Sequence, residues 1–199
     1  MRAIKTLFLQ SWRFLRWAVV VFAGYLLQMC VMPYLEIGDV APNLLFALIG
    51  VITVCYGRLR AYWTGAIYGI LLETMMPSIT MLSLAFYPIA SSLASIGFAD
   101  KSEKRLEAER SMNKSARNGN VYLRSVGCAG VLSLLNEIIN VVYIYLGGTT
   151  IEALHIRRAL LGLFGTMALT ALIAWPVRHL LGFRHAPREE KETKGRYLL

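Results

Sequence analysis

Along these 199 residues, apolar runs recur at close to bilayer length, separated by short polar turns and one long charged stretch. A bilayer core takes about 20 consecutive apolar residues per crossing helix. Six candidate spans follow: 17–34, 43–56, 61–76, 79–98, 126–146 and 159–181. A polar loop, 99–125, divides the fourth from the fifth, and a polar tail, 182–199, follows the sixth. No segment reads as a convincing strand. The pattern predicts an all-α, polytopic membrane helix bundle occupying a single integral membrane domain.

Local signals refine this outline. The opening MRAIKTLFLQSWRFLR is basic and amphipathic, and it runs into the first span. An uncleaved first helix is expected, because Leu27 to Cys30 offer neither a small-residue cleavage site nor the residues that precede a lipidated cysteine. Pro42 should open the second helix, where its missing N–H does no harm. The second and third spans are short and joined by GRLR, a hairpin turn whose Arg58 and Arg60 would snorkel to headgroups. Pro88 should kink the fourth span and Pro176 bend the end of the sixth, while Gly162 and Gly165 could form a packing surface.

Composition adds a limit and charge adds a direction. With 56% hydrophobic and 17% charged residues, and a mean hydropathy of +0.51, the spans leave no room for a separate soluble domain. The net charge of +9 sits almost wholly on alternate loops: all 21 lysines and arginines except Arg157 and Arg158 fall on one side of a six-span layout. The positive-inside rule then places both termini in the cytoplasm. Anionic lipids of the inner leaflet would be attracted as a by-product. A nucleic-acid partner is not expected, since Tyr122 alone supplies an aromatic to the basic loop.

The candidate chemistry is sparse. Cys30, Cys55 and Cys128 lie inside apolar runs, and His155, His179 and His185 are scattered, so neither a disulfide framework nor a metal site is expected. No nucleophile–base pair, phosphate loop or dinucleotide motif is present, so neither catalysis nor a cofactor is expected. The third span carries the sharpest feature. Gly65, Gly69 and Glu73 fall four apart; each step turns about 400°, so the three share one helix face. A carboxylate at bilayer depth costs roughly 2.5–3.5 kcal/mol, so Glu73 is expected to be neutral, partnered or turned inward. The alternative is that it lies near enough to the helix end at Pro77 to reach the headgroups. Asn136, Glu137 and Asn140 form a second polar cluster in the fifth span. The two acids read either as a proton or cation path or as carboxyls hydrogen-bonded inside the bundle.

Between about Leu26 and Leu93 the chain resembles the MreD family, small multispanning proteins of the bacterial rod-shape system. The likeness rests on Pro42-Asn43-Leu44-Leu45, on Gly57-Arg58, and on the helix from Gly65 through Gly69 to Glu73. Ala66, Ile70 and Glu73 stand where the family pattern has an aromatic, a leucine and an aspartate. The resemblance implies a non-enzymatic scaffold in cell elongation. Its partners would be an MreC-like single-span protein, an MreB-like filament and the elongation-specific transglycosylase and transpeptidase machinery. In this reading Gly65, Gly69, Glu73, Pro42, Asn43, Gly57 and Arg58 serve partner binding or helix packing. The family is similar in fold to the S components of energy-coupling-factor vitamin transporters. An S-component-like fold is therefore expected, and substrate binding for such a transporter, or a small proton-coupled carrier, is the alternative function.

Overall fold

The computed structural model describes residues 2–36, 38, 40–75, 81–99, 111–112, 120–148 and 153–182, with side chains from Ser11 onward. Most of the expected 99–125 loop and 182–199 tail lies outside these residues. What is described is all helical: α1 (Arg2–Cys30), α2 (Leu44–Tyr56), α3 (Arg58–Met75), α4 (Leu82–Phe98), α5 (Val121–Leu146) and α6 (Ala153–Leu180). A short 3-10 turn, Met32–Leu35, follows α1.

The helix ends have local causes. The first apolar run was expected to continue to residue 34, but α1 stops at Cys30. Pro33 disfavours helical backbone in the residue before it, so the chain tightens into the 3-10 turn. Pro42 does not open α2 from inside, as expected, but lies just outside it. Asn43 is the cap, and its side-chain oxygen accepts from the N–H groups of Leu45 at 3.0 Å and Phe46 at 3.2 Å. Glycine ends α2: Gly57 has φ +81°, a conformation that costs an L side chain strain, and its N–H donates to Thr53. Besides α1, which takes in the basic opening, α3, α5 and α6 begin earlier than their apolar runs, α3 with Arg58 directly after Gly57. α5 starts at Val121, where Asn120 accepts from the Tyr122 N–H, and α6 takes in Arg157 and Arg158 as a polar extension. Helical structure continues through Pro88 in α4 and Pro176 in α6.

α2 is the axis of the bundle. It touches each of the other five helices, and Leu44 through Val54 are buried on every side. A helix apolar all round belongs in an interior. At 13 residues it is about 20 Å long, short of the roughly 30 Å hydrocarbon core. Gly50 lets α5 close on it, since a Cβ there would stand 2.7 Å from the Ser125 carbonyl oxygen and 3.1 Å from the Ala129 nitrogen. α5 answers with a buried stripe at helical spacing, Ser125, Cys128, Ala129, Leu132 and Ser133.

The remaining helices pack around this axis in alternating directions. Two hydrogen bonds tie α1 to α3: Trp17 Nε1 donates to Thr64 Oγ1 at 3.0 Å, and the Tyr25 hydroxyl to the Leu71 carbonyl at 3.5 Å. The Tyr56 hydroxyl, at the end of α2, reaches the Leu181 carbonyl just after α6. The Arg124 guanidinium, in the first turn of α5, donates to the Phe98 carbonyl at the end of α4. These contacts gather Arg13, Arg16, Arg58, Arg60, Arg124 and Arg178 toward one end of the bundle.

The outer surface is apolar. Three helical stretches, Ser11–Cys30, Val121–Leu146 and Ala153–Leu180, are long and apolar enough to cross a membrane, yet only 22% to 28% of their most apolar windows is buried. Phe22, Val19, Ile138, Phe164 and Leu172 all point outward. Soluble monomers rarely expose apolar patches beyond a few hundred Å², so hydrocarbon is the medium this surface fits.

Candidate functional site

The face carrying Gly65, Gly69 and Glu73 is turned onto α4. A Cβ on Gly65 would lie 2.4 Å from Ser91 Oγ and 2.6 Å from the Tyr87 carbonyl oxygen. One on Gly69 would lie 2.7 Å from the Ser83 carbonyl oxygen and 3.1 Å from the Leu84 Cα. No side chain fits at either position without displacing backbone. One turn further on, Glu73 Oε1 accepts the Met81 N–H at 2.7 Å. Met81 caps α4 in a left-handed conformation, φ 63°, and offers no side-chain cap of its own. The carboxyl group therefore supplies an acceptor at a helix N-terminus, where backbone donors lack partners. All three residues serve one internal interface, the α3–α4 hairpin.

A second constellation surrounds the start of α2. Helix N-termini leave backbone N–H groups without partners, and here they are met by three different elements. Gln28 Oε1 of α1 accepts from the Leu44 N–H at 2.6 Å. Thr166 Oγ1 of α6 accepts from the Asn43 N–H at 3.0 Å, and Asn43 itself takes the next two donors. Pro42 is buried and packs on Gly165, which would hold a Cβ 3.6 Å from the ring. Gly162, one turn earlier, faces Val40 at 3.3 Å. The two glycines, expected as a packing surface, seat the chain segment that leads into α2.

Glu137 closes the same region from α5. The Asn140 and Asn136 side chains lie beside its carboxyl, and its Oε1 stands 3.8 Å from where a Gly162 Cβ would be. The residue is half-buried. Asn136, Glu137 and Asn140 thus form one polar group beside the α2 entry segment. Glu73 is engaged elsewhere, on the α3–α4 hairpin.

Gly57 and Arg58 sit at the α2–α3 turn. Arg58 is exposed, whereas the Arg60 guanidinium stacks over the Tyr56 ring with its carbon 4.0 Å from the centroid. Among the described residues no group of three or more histidine, cysteine, aspartate or glutamate side chains is placed to hold a metal ion.

Sequence reading did not single out Gly24, Gln28, Gly50 or Thr166, although each fixes a helix position. Gly24 and Gly50 lie in uniformly apolar runs, where nothing in the pattern says which face meets a neighbour. Gln28 stands in the sequence only as one of the residues, Leu27 to Cys30, that fit no cleavage or lipidation signal. A lone polar residue near the end of an apolar span was the available clue.

Three candidate membrane-spanning helices and an apolar outer surface define the class, a helical membrane protein. Within it, no family model, curated protein or solved structure matches this chain.

Proposed function

We propose that this chain is a six-span, non-enzymatic scaffold of the bacterial cell-elongation complex, with both termini in the cytoplasm of the inner membrane. It would bind an MreC-like single-span protein and couple MreB-like filaments to peptidoglycan synthesis.

One observation carries the reading. The positions on which the MreD resemblance rests are largely the ones that build the bundle: Asn43 caps the axial helix, Gly57 ends it, Gly65 and Gly69 admit α4, and Glu73 receives Met81. A motif made of framework residues is what a shared fold would leave in a sequence. The gathering of arginines toward one end supports the orientation.

Those same contacts move the partner surface. Since Gly65, Gly69 and Glu73 are occupied by α4, a protein partner would meet outward apolar faces, such as Ile138, Val142 and Leu146 of α5. The start of α2 also weighs against the transporter reading. A helix N-terminus that held a small anionic substrate would need free donors. Here they are taken by Gln28, Thr166 and Asn43.

Depletion in a rod-shaped bacterium, followed by light microscopy, tests the proposal. Rods should round up, and a mild-detergent pull-down should bring a single-span partner. Unchanged shape together with a vitamin requirement, and co-purification of an ATPase pair, would identify an S component instead.

A further inference from the structure

α1 is tied to α2 and α3 on one flank. On the other, toward α6, it leaves an open groove of about 370 Å³. The walls are apolar, with Val20, Ala23 and Leu27 of α1 facing Ile173, Val177 and Leu180 of α6. From Trp12 to Leu27 the groove follows α1 for about 22 Å at 1.5 Å per residue. A trench of that length and apolar lining, open along its outer side, accommodates a single extended hydrocarbon chain.

The two ends differ. Leu27 and Leu44 close one end without charge. Arg16 lines the other, its guanidinium carbon 5.3 Å over the Trp12 ring and an Nη1 beside Gly182, where α6 has ended. Arg13, exposed, lies less than a turn away on α1, and Arg178 lies in the last turn of α6. Trp12 supplies the amphipathic ring that settles at headgroup level. An apolar trench about as long as a fatty chain, with a cationic mouth at one end, matches an anionic phospholipid.

We propose that the α1–α6 groove holds one acyl chain of an anionic phospholipid, with its phosphate at Arg16. The site rests on the membrane reading of the chain and is independent of the scaffold role. The bound lipid would fill the flank that protein contacts leave open and fix how α1 leans on α6.

The test is native mass spectrometry of the full chain purified in mild detergent, delipidated, and then titrated with phosphatidylglycerol or phosphatidylcholine. Wild type should retain one phosphatidylglycerol and hold it at least about fivefold more tightly than phosphatidylcholine, the effect of one basic side chain beside an anionic group. Arg16→Gln should abolish that preference, Arg16→Lys should restore most of it, and Ala23→Trp, which fills the trench, should displace both lipids. Equal retention of the two lipids, or phosphatidylglycerol bound to Ala23→Trp as to wild type, overturns the site. So does a photo-crosslinker at Val20 that captures a protein helix in place of lipid. Release of the chain from membranes by a carbonate wash would overturn the membrane reading itself, whatever the lipid result.

Discussion

Glu73 accepts the backbone N–H of Met81 at 2.7 Å, joining the last turns of α3 to the first residue before α4. Below that bond, Gly65 and Gly69 bring the two helices into backbone contact. A carboxylate that looked unpaired in an apolar run is the cap of the next helix. The hairpin is stitched from its turn to mid-helix by residues spaced four apart on one face.

Replacing Glu73 by glutamine keeps an acceptor for Met81 and should cost less than about 1 kcal/mol. Leucine removes the acceptor and should cost about 1–2 kcal/mol, as loss of an N-cap does. Thermal unfolding in detergent separates the two. Equal losses would show that the Met81 N–H does not depend on Glu73.

Met81 adopts φ 63° at the head of α4, a left-handed conformation that costs a residue with a Cβ roughly 1–2 kcal/mol. Met81→Gly should therefore raise the melting temperature or leave it unchanged, despite the added flexibility of glycine in the unfolded chain. A clear drop would mean that the methionine side chain contributes more than its backbone costs.

The glycines of α3 and α4 give opposite expectations. Gly65→Ala places a methyl group within 2.6 Å of the Tyr87 carbonyl oxygen and should destabilise by about 1–3 kcal/mol through overpacking. Gly97, with nothing within 4 Å of its would-be Cβ, should tolerate alanine and gain up to about 1 kcal/mol from helix propensity. Measured melting shifts of the same sign and size would remove the α3–α4 contact as the cause.

Two threonines of α6, one turn apart, separate a structural hydroxyl from a local one. Thr166 Oγ1 accepts from the Asn43 N–H across the bundle, while Thr170 Oγ1 donates only to the Thr166 carbonyl of its own helix in the described contacts. Thr166→Val should cost about 1–3 kcal/mol by stranding a buried donor, and Thr170→Val should be close to neutral. The comparison is read from denaturation midpoints, and a costly Thr170→Val would sink it.

Tyr68 is fully buried and its hydroxyl has no hydrogen-bond partner among the described residues. Phenylalanine should stabilise the fold or leave it unchanged, because burying an unpaired hydroxyl is unfavourable. Alanine should cost about 3–5 kcal/mol for the lost ring. A destabilised Tyr68→Phe protein would reveal a partner for that oxygen, such as an ordered water.

Much of the architecture was legible because hydrophobic runs and helix-stop residues act locally. Helical class, the near position of each helix and the GRLR hairpin follow from runs of leucine and valine and from Gly57. The shared face of Gly65, Gly69 and Glu73 was readable from spacing alone. Its occupant was not, since a four-residue repeat states which residues align and says nothing of what they align against.

Sequence by itself determined that the chain is a set of apolar helices with basic connections, because period, length and charge are properties of neighbours along the chain. Only the tertiary structure decided that the short α2 becomes the buried axis, that its first donors are met by Gln28 and Thr166 from separate helices, and that Glu73 is spent on Met81. Those choices depend on which surfaces meet across long distances along the chain, as across the 123 residues between Asn43 and Thr166. Apolar side chains alike in composition leave that meeting to shape, and shape is settled by where a glycine or a lone polar atom allows two backbones to close.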